Sequence, residues 1–173
     1  MRAHTHLLVQ SATFVAIIFL AIFFIRVPNG FGGFIHFGDS LIYISATLLP
    51  FPFNLLVAAL GPGLFNLAAE GGQVWFPFTI VIKPLMALCF TSKGDSILGP
   101  VRNRVAPFAA AGINTVLYFI ANMILWGGWA AGVAALWPGL IVQGVGSIVF
   151  FFVIGAALDR LRVKRMFGGW RVS

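Results

Sequence analysis

The sequence predicts an all-α polytopic membrane protein with six transmembrane helices and both termini cytoplasmic. Three observations predict it. Charged residues make up only 9% of the chain and hydrophobic ones 60%, against about 25% charged in an average soluble domain. The apolar residues come in long uncharged runs, and the cations gather at alternate ends of those runs. A water-soluble globule is excluded. Eleven Lys and Arg against four Asp and Glu give a formal net charge of +7. Anionic lipid headgroups or a partner's acidic surface, rather than nucleic acid, are the expected counterparts of bases placed between apolar runs. The one cysteine, Cys89, lies in an apolar run, so no disulfide framework or cysteine metal site is expected.

The first helix is expected over about 7–26. Leu7 to Ile25 carries no charge and is close to the length that crosses a hydrocarbon core about 30 Å thick. It is read as retained rather than cleaved, because Arg26, Val27, Pro28, Asn29 and Gly30 follow it in place of a small-residue cleavage site. Leu41 to Ala69 is also uncharged but is broken by Pro50-Phe51-Pro52. This predicts a hairpin of two helices, about 39–50 and 53–70, the first capped by Asp39 and Ser40. The second helix is then short, so Asn29 to Gly38 is expected to enter the protein at membrane depth, shielded from lipid. The remaining helices are expected at about 75–91, 105–126 and 136–158. All six form one integral-membrane domain over 1–173.

Arg2, Lys93, Arg102, Arg104, Arg160, Arg162, Lys164, Arg165 and Arg171 fall on the side of the termini, with only Arg26 opposite. The positive-inside rule makes that side cytoplasmic. The loops around Phe31, Glu70 and Gly128 then face outward. Trp75, Trp126, Trp129 and Trp137 fall at the outer boundary, as an aromatic belt does.

Lys83 lies inside the fourth span. Lys at a span centre costs ~2.5 to 3.5 kcal/mol on insertion scales. Two readings fit it: a structural ion pair or snorkelling, or a substrate contact. Asp39 and Glu70 are the only acids on the outer side, and a pair with either requires the lysine stem to reach upward. Asn114, Tyr118 and Asn122 recur every four residues on one face of the fifth helix. They fit either interhelical hydrogen bonds or a lined cavity. Asn66 with Glu70, Asp39 with Tyr43, and Gln143 with Ser147 repeat that spacing. With His36, Trp75, Trp137, Phe34 and Phe37 they predict a small pocket in the outer half, combining rings for stacking with a few polar groups. Asp39 as a plain cap and Glu70 as a solvated loop charge are the competing readings. Ala12 and Ala16 form a small-xxx-small pair that fits a partner helix or packing within the chain.

No GxxxxGK[ST], HExxH or GxSxG motif occurs. Ser40 and His36 lack a third group to orient them as nucleophile and base, and His4 and His6 lack further metal ligands. The protein is expected to be neither an enzyme nor a cofactor or metal carrier.

The segment NGFGGFIHFGDSLIYISATLLP of Asn29 to Pro50, the GPG of Gly61 to Gly63, the IVIKP of Ile80 to Pro84 and the basic tail resemble the substrate-binding S-components of energy-coupling factor (ECF) vitamin transporters. The IHFGD segment and the Lys83 context resemble the hydroxymethylpyrimidine and pyridoxine branch. The resemblance implies a six-helix protein that captures a micronutrient from outside, a first outer loop that closes over the ligand, and delivery through a transmembrane coupling protein and two cytoplasmic ATPases. It also implies that Ala12 and Ala16 meet the coupling protein. The ligand residues would come from His36, Asp39, Tyr43, Asn66, Glu70, Trp75, Lys83, Asn114, Tyr118, Asn122 and Gln143. A different small-solute transporter or channel, or a membrane scaffold, are the alternatives. A channel needs a continuous polar path, which the apolar inner halves of the second, third and fourth helices do not offer.

Overall fold

The computed structural model describes residues 2–28, 34–136 and 142–167. Phe31, Trp137 and Arg171, and the Asn29 to Gly33 part of the expected inward-folding segment, lie outside them. The order is α1 (Arg2–Phe24), β1 (Arg26–Pro28), β2 (Phe34–His36), α2 (Gly38–Leu48), α3 (Phe53–Ala68), a 3-10 turn (Gln73–Trp75), α4 (Phe76–Ala87), α5 (Val101–Trp126), α6 (Trp129–Leu136), α7 (Gly146–Arg160) and α8 (Val163–Met166). A π-helical turn at 142–145 extends α7 at its start. His4–Phe24, Val101–Trp126 and Val142–Arg160 are long and apolar enough to cross a membrane, and Phe53–Ala68 and Gln73–Ala87 are shorter apolar helices.

α2 has 11 residues, roughly 16 Å at the usual rise, about half the hydrocarbon thickness. All of them except Leu41 are buried. A helix buried on nearly every side is an interior helix, and α2 packs against α1, α3, α4 and α7. Two glycines allow α1 to approach closely. A Cβ on Gly38 would come within 2.5 Å of Ile22, and one on Gly61 within 2.8 Å of Ile18. The fully buried Ile18 and Ile22 of α1 therefore seat on α3 and on the start of α2 at backbone distance. Below Asp39, the Tyr43 ring stacks on Phe90 at 4.8 Å and meets Phe151 edge-on at 6.0 Å.

Several expectations need correction. β1 and β2 pair antiparallel, Arg26 opposite His36 and Val27 opposite Ile35. No strand was expected there. Pairing the two arms is one way for an irregular chain to satisfy its backbone as it enters the protein. Asp39 and Ser40 do not cap α2: the helix begins at Gly38, and the Ser40 hydroxyl donates to the Phe37 carbonyl. α3 ends at Ala68, so Glu70 is not on its helical face with Asn66. α5 starts four residues earlier than expected, behind the extended Pro100. Gly127 and Gly128, with φ of 78° and 103°, end α5, and the helix α6 that follows at Trp129–Leu136 was not expected; the described part of the expected 136–158 helix is Val142–Arg160.

The basic end is tightly tied. Asp159 on α7 accepts the backbone N–H groups of Ile97 at 2.6 Å and Leu98 at 2.9 Å. The Lys164 ammonium, 3% exposed, donates to the carbonyls of Lys93 and Ser96. Asn103 bonds Thr91 and Ile97. Arg102 donates to the carbonyls of Leu88 and Cys89, which end α4, the position where a cation offsets the helix dipole.

Candidate functional site

Two buried hydrogen-bond chains converge on α4. Thr79 and Lys83 stand one turn apart there and so share a face. In the first chain the Lys83 ammonium donates to Asp39 Oδ1 at 2.7 Å and to Asn114 Oδ1 at 2.9 Å. Gln143 Nε2 donates to Asp39 Oδ2 at 2.8 Å. α2, α4, α5 and the start of α7 are joined through these four side chains, and Gln143 reaches the carboxylate from a π-helical turn, a distortion often found at functional sites. In the second chain Asn66 Nδ2 lies 2.6 Å from Thr79 Oγ1, which lies 2.8 Å from Tyr118 Oη. The chains meet where the Lys83 ammonium stands 5.1 Å over the Tyr118 ring, a cation-π contact that strengthens where water is excluded.

Lys83 and Asp39 are both 2% exposed as side chains. Isolated charges so placed would each carry a desolvation cost of several kcal/mol, which only close pairing and further hydrogen bonds offset. Asn114 and Gln143 supply those bonds. The lysine stem does reach upward to Asp39, as a pair with that residue requires.

The aromatic part of the site is Trp75, in the 3-10 turn before α4, with its ring 5.9 Å from that of Tyr118. One turn further out on α5, Asn122 Nδ2 donates to the Tyr118 carbonyl at 2.8 Å, while its Oδ1 is buried without a partner among the described residues. The Ser147 hydroxyl is another such atom. His36, in the hairpin outside the spanning helices, is buried beside Asp39. Its Nδ1 accepts the Gly38 N–H at 3.2 Å, an arrangement of the neutral ring that carries its proton on Nε2.

The structure thus brings together Asp39, Asn66, Trp75, Lys83, Asn114, Tyr118 and Gln143, with His36 and Asn122 alongside. It sets Tyr43 in the aromatic core with Phe90 and Phe151 and leaves Glu70 exposed in the turn after α3. Ala12 and Ala16 are exposed on α1, so neither is consumed by packing within the described chain. Thr79 was missed by the sequence reading, although its spacing from Lys83 is the same i, i+4 signal that found the stripe on α5. No group of three or more His, Cys, Asp or Glu that could hold a metal occurs among the described residues.

The family model for the ECF-type riboflavin transporter, S component, matches residues 2–160. No curated protein and no solved structure matches the chain. The match covers all the helices that build the site, and the apolar helices are those of an integral membrane protein. The protein is the substrate-capture component of an energy-coupling-factor importer for a vitamin, and it belongs to the ECF-type riboflavin transporter S-component family.

Proposed function

We propose that the ligand is a planar heteroaromatic vitamin held between the two hydrogen-bond chains, with riboflavin first because the family's description names it. The observation that carries this reading is the ion pair of Lys83 and Asp39 with Asn114 and Gln143, a costly buried polar cluster in otherwise apolar helices. Trp75 and Tyr118 supply stacking surface. A hydroxymethylpyrimidine- or pyridoxine-like ligand is the second reading, favoured by the IHFGD segment of Ile35 to Asp39. Mass spectrometry of the small molecule released from the purified, heat-denatured protein tests both. A flavin supports the first and a single pyrimidine or pyridine ring the second. A protein that binds none of these compounds refutes the pocket.

The whole chain 1–173 acts as one membrane domain with six spans, α1 to α5 and the Val142–Arg160 helix, and with cytoplasmic termini. The cations beside Asp159 and in the 88–104 segment support that orientation by the positive-inside rule. In a Cys89→Ser background, a membrane-impermeant maleimide applied to intact cells should label Glu70→Cys and spare Lys93→Cys; the reverse pattern inverts the topology. The chain performs no catalysis and needs no cofactor. It is energised by a transmembrane coupling protein and two cytoplasmic ATPases, reached through the exposed Ala12 and Ala16.

A further inference from the structure

Thr79 sits in the middle of a chain of side chains from three helices, and counting its protons gives that chain a direction. A hydroxyl carries one proton and two lone pairs. Asn66 Nδ2 donates to Thr79 Oγ1. Thr79 is 2% exposed, and its one other hydrogen-bonding neighbour among the described residues is Tyr118 Oη. Its proton goes to that phenol oxygen, since otherwise a buried donor is left unpaired at the full desolvation cost. The phenol proton of Tyr118 is then surplus, and the half-buried Tyr118 can turn it towards the proposed ligand site. On the next turn of α5 the polarity is opposite. The Tyr118 carbonyl can only accept, so it holds the Asn122 amide with Nδ2 inward and leaves Oδ1, a pure acceptor, buried and unpartnered. A residue that donates and one that accepts thus stand on one helix face, their backbones roughly 6 Å apart along the axis, with the Trp75 ring against that of Tyr118.

We infer that Thr79 is a positioning residue that sets the polarity of the ligand site, turning Tyr118 into a donor so that the ligand presents an acceptor to Tyr118 and an N–H to Asn122, as the edge of a cyclic imide or lactam does. The inference rests on the reading of this pocket as the ligand site. It adds the arrangement of donors and acceptors that the ligand must carry, and it gives a role to a residue that contacts no ligand itself.

The direction of the chain is testable without ligand, because the protein has only two tyrosines. In a Tyr43→Phe background the Raman Fermi doublet of the remaining phenol reports whether its oxygen accepts or its proton is donated. The expected doublet is that of an accepting phenol, lost in Thr79→Val and kept in Thr79→Ser. A doublet of a phenol that only donates means the chain runs towards Asn66, and overturns the inference. The ligand edge is tested with riboflavin and its N3-methyl derivative, in which the imide N–H is capped. Methylation should weaken binding at least tenfold in the parent protein, and the difference should vanish in Asn122→Leu. Equal binding of the two compounds to the parent overturns the edge assignment. Binding of neither overturns the flavin reading of the preceding section, and with it the imide edge, while the Raman doublet decides the direction of the chain by itself.

Discussion

The ammonium of Lys83 and the carboxylate of Asp39 lie 2.7 Å apart, each side chain 2% exposed, and join α4 to the first turn of the half-length helix α2. This pair anchors a helix that by its own length covers only about half the hydrocarbon thickness, at the depth where the hairpin delivers it. Because Asn114 and Gln143 occupy further lone pairs and protons of the pair, the cluster is one unit and responds as one.

Lys83→Met should leave Asp39 buried without its counter-charge. The expected cost is ~3 to 5 kcal/mol of stability in the empty protein, read as a large fall in melting temperature. Adding Asp39→Leu to it should recover much of the loss, since no charge is then stranded. A Lys83→Met protein that melts normally when empty and loses only the ligand's stabilising shift would make Lys83 a ligand contact instead of a structural pair.

Asn122→Leu should weaken ligand binding by at least about 1 kcal/mol, the low end for removing the partner of a buried polar group. Its empty state should stay folded, because among the described residues Asn122 makes one local bond, to the Tyr118 carbonyl. Calorimetry on the folded variant decides the point, and unchanged affinity would take this turn of α5 out of the site.

Ala12 and Ala16 are exposed on α1, so replacing both with leucine should not disturb the fold. Uptake and co-purification of the energising subunits should be lost while the isolated chain still binds ligand, since small residues at this spacing let helices approach closely. Loss of ligand binding along with uptake would count against a partner-facing role.

Asp159→Ala should free the backbone N–H groups of Ile97 and Leu98. Hydrogen bonds to a charged group contribute about 1.5 to 3 kcal/mol each when removed, and partial exposure of Asp159 places this site towards the low end. Hydrogen exchange should quicken at Ile97 and Leu98 and stay unchanged around Asn114, which lies midway along α5, roughly 20 Å from its first residue at the usual rise. Uniform acceleration throughout the protein would mean that the loop and the bundle unfold together.

The sequence by itself determined the membrane class, the long apolar helices, the half-length of α2 and the recurrence of polar residues on single helix faces. These are written in local signals: run length, the Pro50-Phe51-Pro52 break, cation placement and four-residue spacing. The tertiary structure alone decided the partners. Asp39 is distant in sequence from both Lys83 and Gln143, and no local pattern says which buried amide meets which charge. It also decided that Tyr43 enters an aromatic core while its helical neighbour Asp39 enters the polar cluster, and that Glu70, past the end of α3, joins neither. The hairpin of β1 and β2 was illegible for a similar reason. Three-residue strands carry too little periodicity to register, and they form because the backbone entering between helices must pair somewhere that lipid cannot reach. Thr79 shows the limit most plainly: its spacing from Lys83 was readable, but its meaning comes from Asn66 and Tyr118, which only the packing of α3, α4 and α5 brings within hydrogen-bonding distance.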